Sequence, residues 1–143
     1  MTWLLLAYQI PSEPSARRVA VWRKLKRLGA LLLHDSLWVL PANPHTREQF
    51  QWLAGEIIDF GGEATFWEGE LLVGGEQANL VGQFREQVEV VYRDILAKLE
   101  LPDNDLATLA RDYQQAKARD YFESELGNVV RDKLIDAREG RSS

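Results

Sequence analysis

An α+β fold is predicted by three features of this 143-residue sequence. Short apolar runs bounded by proline or a polar turn occupy residues 3–10, 30–33 and 37–41, as strands do. Two amphipathic stretches between and after them each end in glycine, the usual helix stop. Beyond Gly74-Gly75 the apolar residues recur every three or four positions, a helical period that persists almost to the end of the chain.

The first run, Trp3-Leu4-Leu5-Leu6-Ala7-Tyr8-Gln9-Ile10, is nearly continuous in apolar character and stops at Pro11. That pattern suits a strand covered on both faces, in the middle of a sheet. Pro11-Ser12-Glu13-Pro14 is a loop, and Pro14 or Ser15 opens a helix over residues 15–28, closed by Gly29. At about 100° per residue, Val21, Trp22, Leu25 and Leu28 share an arc of roughly 120°, the expected core face. Arg17, Arg23, Lys24, Lys26 and Arg27 spread around the remainder. Arg18 projects into the apolar arc between Leu25 and Trp22. In the first turn it can snorkel past the end of the core or face an anion at the helix N-terminus, and the sequence leaves both readings open.

Residues 30–33 and 37–41 form two strands joined by the turn His34-Asp35-Ser36. Thr46, or Asn43 further back, caps a second helix that reaches about Phe60. Its apolar positions are Phe50, Leu53, Ile57 and Phe60. Gly61-Gly62 stops it, and residues 64–67 make a fourth strand. The order strand, helix, strand, strand, helix, strand is the ferredoxin-like βαββαβ sandwich, with both helices on one face of an antiparallel sheet. This assigns residues 1–72 to one domain. Its uncovered sheet face is too apolar for water and calls for a second copy or the C-terminal helices. Residues 73–138 read as a helical hairpin packed on that domain. The first arm reaches Leu99, Leu101-Pro102 breaks it, and the second arm starts at Asp103 with Gly127 as a bend. Residues 139–143 read as a disordered tail.

The composition, 45% hydrophobic and 27% charged, is that of an ordinary globular protein. Without cysteine there is no disulfide, thiolate metal site or thiol nucleophile. Met1-Thr2-Trp3 has no basic character and residues 3–8 are too few for a membrane span, so a cytoplasmic protein without a membrane partner is expected. The net charge of −5 is unevenly distributed. Up to Arg47 seven Lys/Arg face only Glu13 and Asp35, and the remainder carries ten basic against twenty acidic residues. A basic N-terminal third can hold a polyanion, although two oppositely charged amphipathic surfaces would give the same count.

No catalytic constellation emerges. His34 and His45 lack a second ligand at a metal-binding interval. His34-Asp35-Ser36 has triad residue types, but three consecutive residues cannot take triad geometry. Asp103-Asn104-Asp105 opens like a calcium loop but has Thr108 and Gln114 where glycine and glutamate are required, so it reads as a helix cap. Glu68 and Glu70 read as a solvated strand end, and Gly74-Gly75 lacks the spacing and lysine of a phosphate loop. The expectation is a protein that is not an enzyme and has no metal or cofactor. Arg17, Arg18, Arg23, Lys24, Lys26 and Arg27, six cations within eleven positions, form the one functional-looking cluster. They could neutralise several phosphates, or be the solvated outer face of a helix.

Trp3-Leu4-Leu5-Leu6, Ile10-Pro11-Ser12-Glu13, Val21-Trp22-Arg23-Lys24-Leu25-Lys26, Leu28-Gly29-Ala30, Leu37-Trp38-Val39-Leu40-Pro41 and, later, Arg119-Asp120-Tyr121-Phe122 resemble the N-terminal domain of the ChrB chromate-resistance regulators. The resemblance covers most of the chain and is clearest over residues 3–70. It implies a bacterial regulatory module that contacts operator DNA through Arg17, Arg18 and Arg23 of the first helix. A homodimer formed through the sheet is also expected, because the bare apolar sheet face needs a cover. Full-length family members continue into a second, chromate-linked domain, so sensing would need a separate partner protein or an oxyanion held by these same arginines. The core also looks like the ferredoxin-like domain of PaaX repressors and of the small CRISPR-associated endoribonucleases. Those nucleases place a metal-binding aspartate at the end of the first strand, where this chain has Gln9. A protein-interaction module without DNA binding is the alternative reading.

Overall fold

The structure, a computed structural model, describes residues 1–75 and 77–142. The chain divides into two compact units, Met1–Gln77 and Ala78–Ser143. The first holds strands β1 (Trp3–Gln9), β2 (Leu31–His34), β3 (Leu37–Pro41) and β4 (Glu63–Gly69), with helices α1 (Ser15–Leu28) and α2 (Pro44–Asp59). The strands form one antiparallel sheet in the order β2-β3-β1-β4. The apolar first run is therefore central, and β2 and β4 are the edges.

Register places alternate residues on opposite faces. Leu4 pairs with Leu40 and Leu6 with Trp38. All four are buried on the face that α2 covers, where Phe66 of β4 meets Phe50 of α2 edge-on at 6.2 Å. Val21 and Leu25 of α1 and Phe50, Leu53 and Ile57 of α2 complete this unit's helix-side core. On the opposite face Trp3 and Val39 are buried, whereas Trp67 is 61% exposed. Two glycine positions have a steric reason. Gly29 takes φ 78 and its N–H caps α1 on the carbonyls of Leu25 and Lys26. A Cβ on Gly62 would stand 2.5 Å from the Gln9 carbonyl oxygen. Asn43 and Thr46, alternatives in the sequence, act together: each side chain accepts the other's backbone N–H, a reciprocal capping box.

The second unit corrects the expected two-armed hairpin. Its helices are α3 (Gln77–Leu99), α4 (Leu106–Ala118) and α5 (Glu125–Ser142). The second arm is interrupted between Ala118 and Glu125 and not at Gly127, which lies inside α5. The tail expected to be disordered from residue 139 is helical as far as Ser142, and Ser143 lies outside the described residues. Val88, Tyr92, Ile95, Leu109, Tyr113, Ala116 and Val130 form the core of the unit. The calcium-like triplet is a cap: Asp105 accepts from the Thr108 N–H at 3.3 Å. Asn104 closes α3 by donating to the carbonyls of Leu99 and Leu101. Among the described residues no helix is long and apolar enough to cross a membrane.

Candidate nucleic-acid interface

Helix α1 forms because Pro14 and Ser15 start it, Gly29 ends it, and Val21 and Leu25 are buried in the core. It contains no acidic residue, so every charged side chain on it is positive. The structure distributes the six expected cations between two roles.

Arg17 and Lys24 are engaged within the protein. The Arg17 guanidinium donates to the Phe60 carbonyl oxygen at 3.1 Å and lies 5.4 Å from the centre of the Phe60 ring. It thereby satisfies a carbonyl at the C-terminal end of α2, where a cation is favoured. Lys24 forms an ion pair with Glu56 of α2. These two links, Arg17 to Phe60 and Lys24 to Glu56, show that α1 and α2 run antiparallel. The Lys26 ammonium lies 5.9 Å from the centre of the Trp22 ring, a cation–π distance.

Arg18, Arg23 and Arg27 are exposed and enter none of the ion pairs formed among the described residues. Arg18 lies near Tyr8, whose phenol burial raises above its ordinary pKa while the arginine charge opposes the shift. Arg18 is exposed in the first turn of α1. Arg27 lines a shallow groove of about 190 Å³ between α1 and α2, together with Lys24, Leu28, Trp52 and Glu56.

Two aromatic residues in this region were missed. Trp22, assigned by its apolar character to the core face, is 51% exposed. Trp52 of α2 is 63% exposed. For Trp22 the signal lay in the wheel, because it sits about 60° beyond Leu25 at the rim of the arc. For Trp52 it lay in the same pattern, since the residue falls between Phe50 and Leu53 and outside their stripe.

At the far end of the sheet, a cleft of about 420 Å³ is lined by Gln9, His34, Asp35, Ser36 and Glu63, among others. Among the described residues no three His, Cys, Asp or Glu side chains are grouped so as to hold a metal ion. The motif Arg119-Asp120-Tyr121-Phe122 is distant in sequence from the basic helix and builds the second unit. Asp120 accepts from the Tyr92 hydroxyl at 2.9 Å and from the Ser124 N–H at 3.1 and 3.2 Å. Burial, reinforced by the Asp120 hydrogen bond, holds the Tyr92 phenol well above its ordinary pKa. Tyr121 and Phe122 pack against Phe84, with ring centres 6.2 and 5.9 Å away.

The family described as "Protein ChrB, N-terminal" matches residues 18–98, from the second arginine of α1 to the end of α3. Protein ChrB of Cupriavidus metallidurans is 30% identical over 112 residues, which cover 76% of this chain. The chain spans only 35% of the length of that relative. Because the family match spans more than half of it, this chain belongs to the ChrB N-terminal family.

Proposed function

We propose that this chain is a ChrB-like, non-enzymatic regulatory module of chromate resistance that binds operator DNA through α1. The observation that carries the proposal is the acid-free helix α1, from which Arg18, Arg23 and Arg27 project into solvent in a chain of net charge −5. Such a concentrated cationic surface on an acidic protein attracts a polyanion to one place and repels it elsewhere. The strand order β2-β3-β1-β4 and the two antiparallel helices support a ferredoxin-like reading of the first unit. A homodimer through the sheet is part of the proposal, with the exposed Trp67 as its apolar contact. A chromate response belongs to the two readings of the exposed guanidiniums. Either they take the oxyanion directly, or a separate sensing protein acts on the module.

The test is binding to upstream DNA across a salt series, with and without chromate, for the native chain and an Arg18/Arg23/Arg27→Ala variant. Each lost phosphate contact should lower the log–log salt slope by about 0.9. Release by chromate would make the module self-sufficient, and indifference to chromate would call for a sensing partner. Absence of binding at low salt would sink the DNA reading. It would favour a protein-interaction module, for which the exposed Leu72 and Val73 and the internal engagement of Arg17 and Lys24 already speak. Magnesium-dependent cleavage of the bound nucleic acid would overturn the non-enzymatic reading.

A further inference from the structure

The exposed tryptophans interleave with the cations of α1. Around the helix at about 100° per residue, Arg27, Arg23, Lys26, Trp22 and Arg18 succeed one another in steps of about 40–60°. The band begins beside Trp52, because Trp52 and Arg27 line the same groove. Across the outer surface the order is therefore Trp52, Arg27, Arg23, Lys26, Trp22, Arg18. Both tryptophans are more than half exposed, although indole is among the costliest side chains to leave in water. Neither anchors the core, which Val21, Leu25, Leu53 and Ile57 supply.

We infer that this band is a binding surface for unpaired nucleic acid, with bases stacked on Trp22 and Trp52 and the intervening phosphates held by Arg23, Arg27 and Arg18. Indole has a flat π-face that suits any base, and single-strand binders combine such platforms with a cationic track. Duplex DNA keeps its bases stacked inside and would leave both rings without a partner. An anionic membrane is the less suited partner: a membrane-lying helix needs a contiguous apolar face, and the apolar residues Val21 and Leu25 of α1 are buried. The inference rests on α1 being the nucleic-acid contact and adds an unpaired strand to the duplex as its ligand.

The full chain would be titrated against a labelled single strand of about 16 nucleotides, against its duplex, and against anionic phosphatidylserine vesicles. Trp22→Ala, Trp52→Ala and Trp22→Phe would be measured alongside, each checked for an unchanged thermal melt. The expected result is tighter binding of the single strand than of the duplex. Each alanine variant should lose about tenfold against the single strand, the value of one base–aromatic stack, and keep its duplex affinity, while phenylalanine recovers most of the loss. Duplex binding with no single-strand binding, or alanine variants that bind the single strand as well as the native chain, would overturn this inference and leave the DNA module standing. Failure of both nucleic acids would overturn both readings. Trp22-dependent binding of vesicles alone would assign the band to a lipid surface.

Discussion

At Gly127 an added Cβ would stand 3.0 Å from both Cζ and Oη of Tyr92. Alanine is intrinsically better than glycine in a helix by about 1 kcal/mol, but overpacking a core costs about 1–3 kcal/mol. The Tyr92 ring is fully buried and its hydroxyl is held by Asp120, so it cannot move aside. Gly127→Ala is therefore expected to lower stability, read as a lower urea midpoint with unchanged slope. A higher midpoint would show that the ring yields. Asp120→Ala should cost more, about 1.5–3 kcal/mol, because it strands the Tyr92 hydroxyl and the Ser124 N–H together. Nearby, burial pushes the Tyr121 phenol up from 10.0 to about 12. With the folded value raised, the unfolded chain loses its proton first. Stability from this group is complete below pH 10 and is lost as pH rises from 10 towards 12. Tyr92, also raised, adds to the same alkaline decline. Denaturation midpoints measured over that interval should fall, and less steeply in Tyr121→Phe.

Between α1 and α2 the Lys24–Glu56 pair joins two half-exposed side chains, with 43% and 34% of their surfaces in solvent. Such a pair contributes on the order of 0–1 kcal/mol, so Glu56→Gln should barely change the melt. It would remove one negative charge from the groove and release one cation, so polyanion affinity should rise and the salt slope steepen by up to about 0.9. A slope that stays the same would place the bound polyanion away from this groove. The bounds of these elements were largely legible in the sequence, because Pro14, Gly29, Pro41 and Gly61-Gly62 act locally on the backbone. The break between α4 and α5 was not. Arg119 to Ser124 contains neither glycine nor proline, and the helix is interrupted by tertiary contacts: Tyr121 and Phe122 on Phe84, and Asp120 on Tyr92. Gly127 is a helix breaker by residue type, yet inside α5 it leaves room for the Tyr92 ring from α3. The candidate site was half legible for the same reason. Residue type marks the cations, but only the fold separates Arg17 and Lys24, held by α2, from Arg18, Arg23 and Arg27, and turns Trp22 outward.

For the molecule as a whole, the division into two units at Gln77/Ala78 makes the chain just before it the place to probe. Leu72 and Val73 are 84% and 89% exposed, and Gly74 and Gly75 have φ of 102° and 142°, values that side-chain-bearing residues rarely adopt. Leu71 to Gly75 belong to neither a strand nor a helix, and among the described residues no backbone hydrogen bond outside the regular elements ties them down. Proteolysis needs an exposed stretch of backbone that can adopt an extended form, and loop segments of this kind are cut first. Thermolysin, which cleaves before apolar residues, should make its first cuts at Leu71, Leu72 or Val73. The N-terminal product should then persist, because the side chains that fill its helix-side core, from Leu4 and Leu6 to Phe50 and Ile57, all lie within it. Mass spectrometry of an early time point decides the matter. A fragment ending near residue 72 that outlasts the intact chain supports two units with separate cores. First cuts within α3, or loss of the N-terminal product as fast as it forms, would mean that the first unit depends on the helices that follow it.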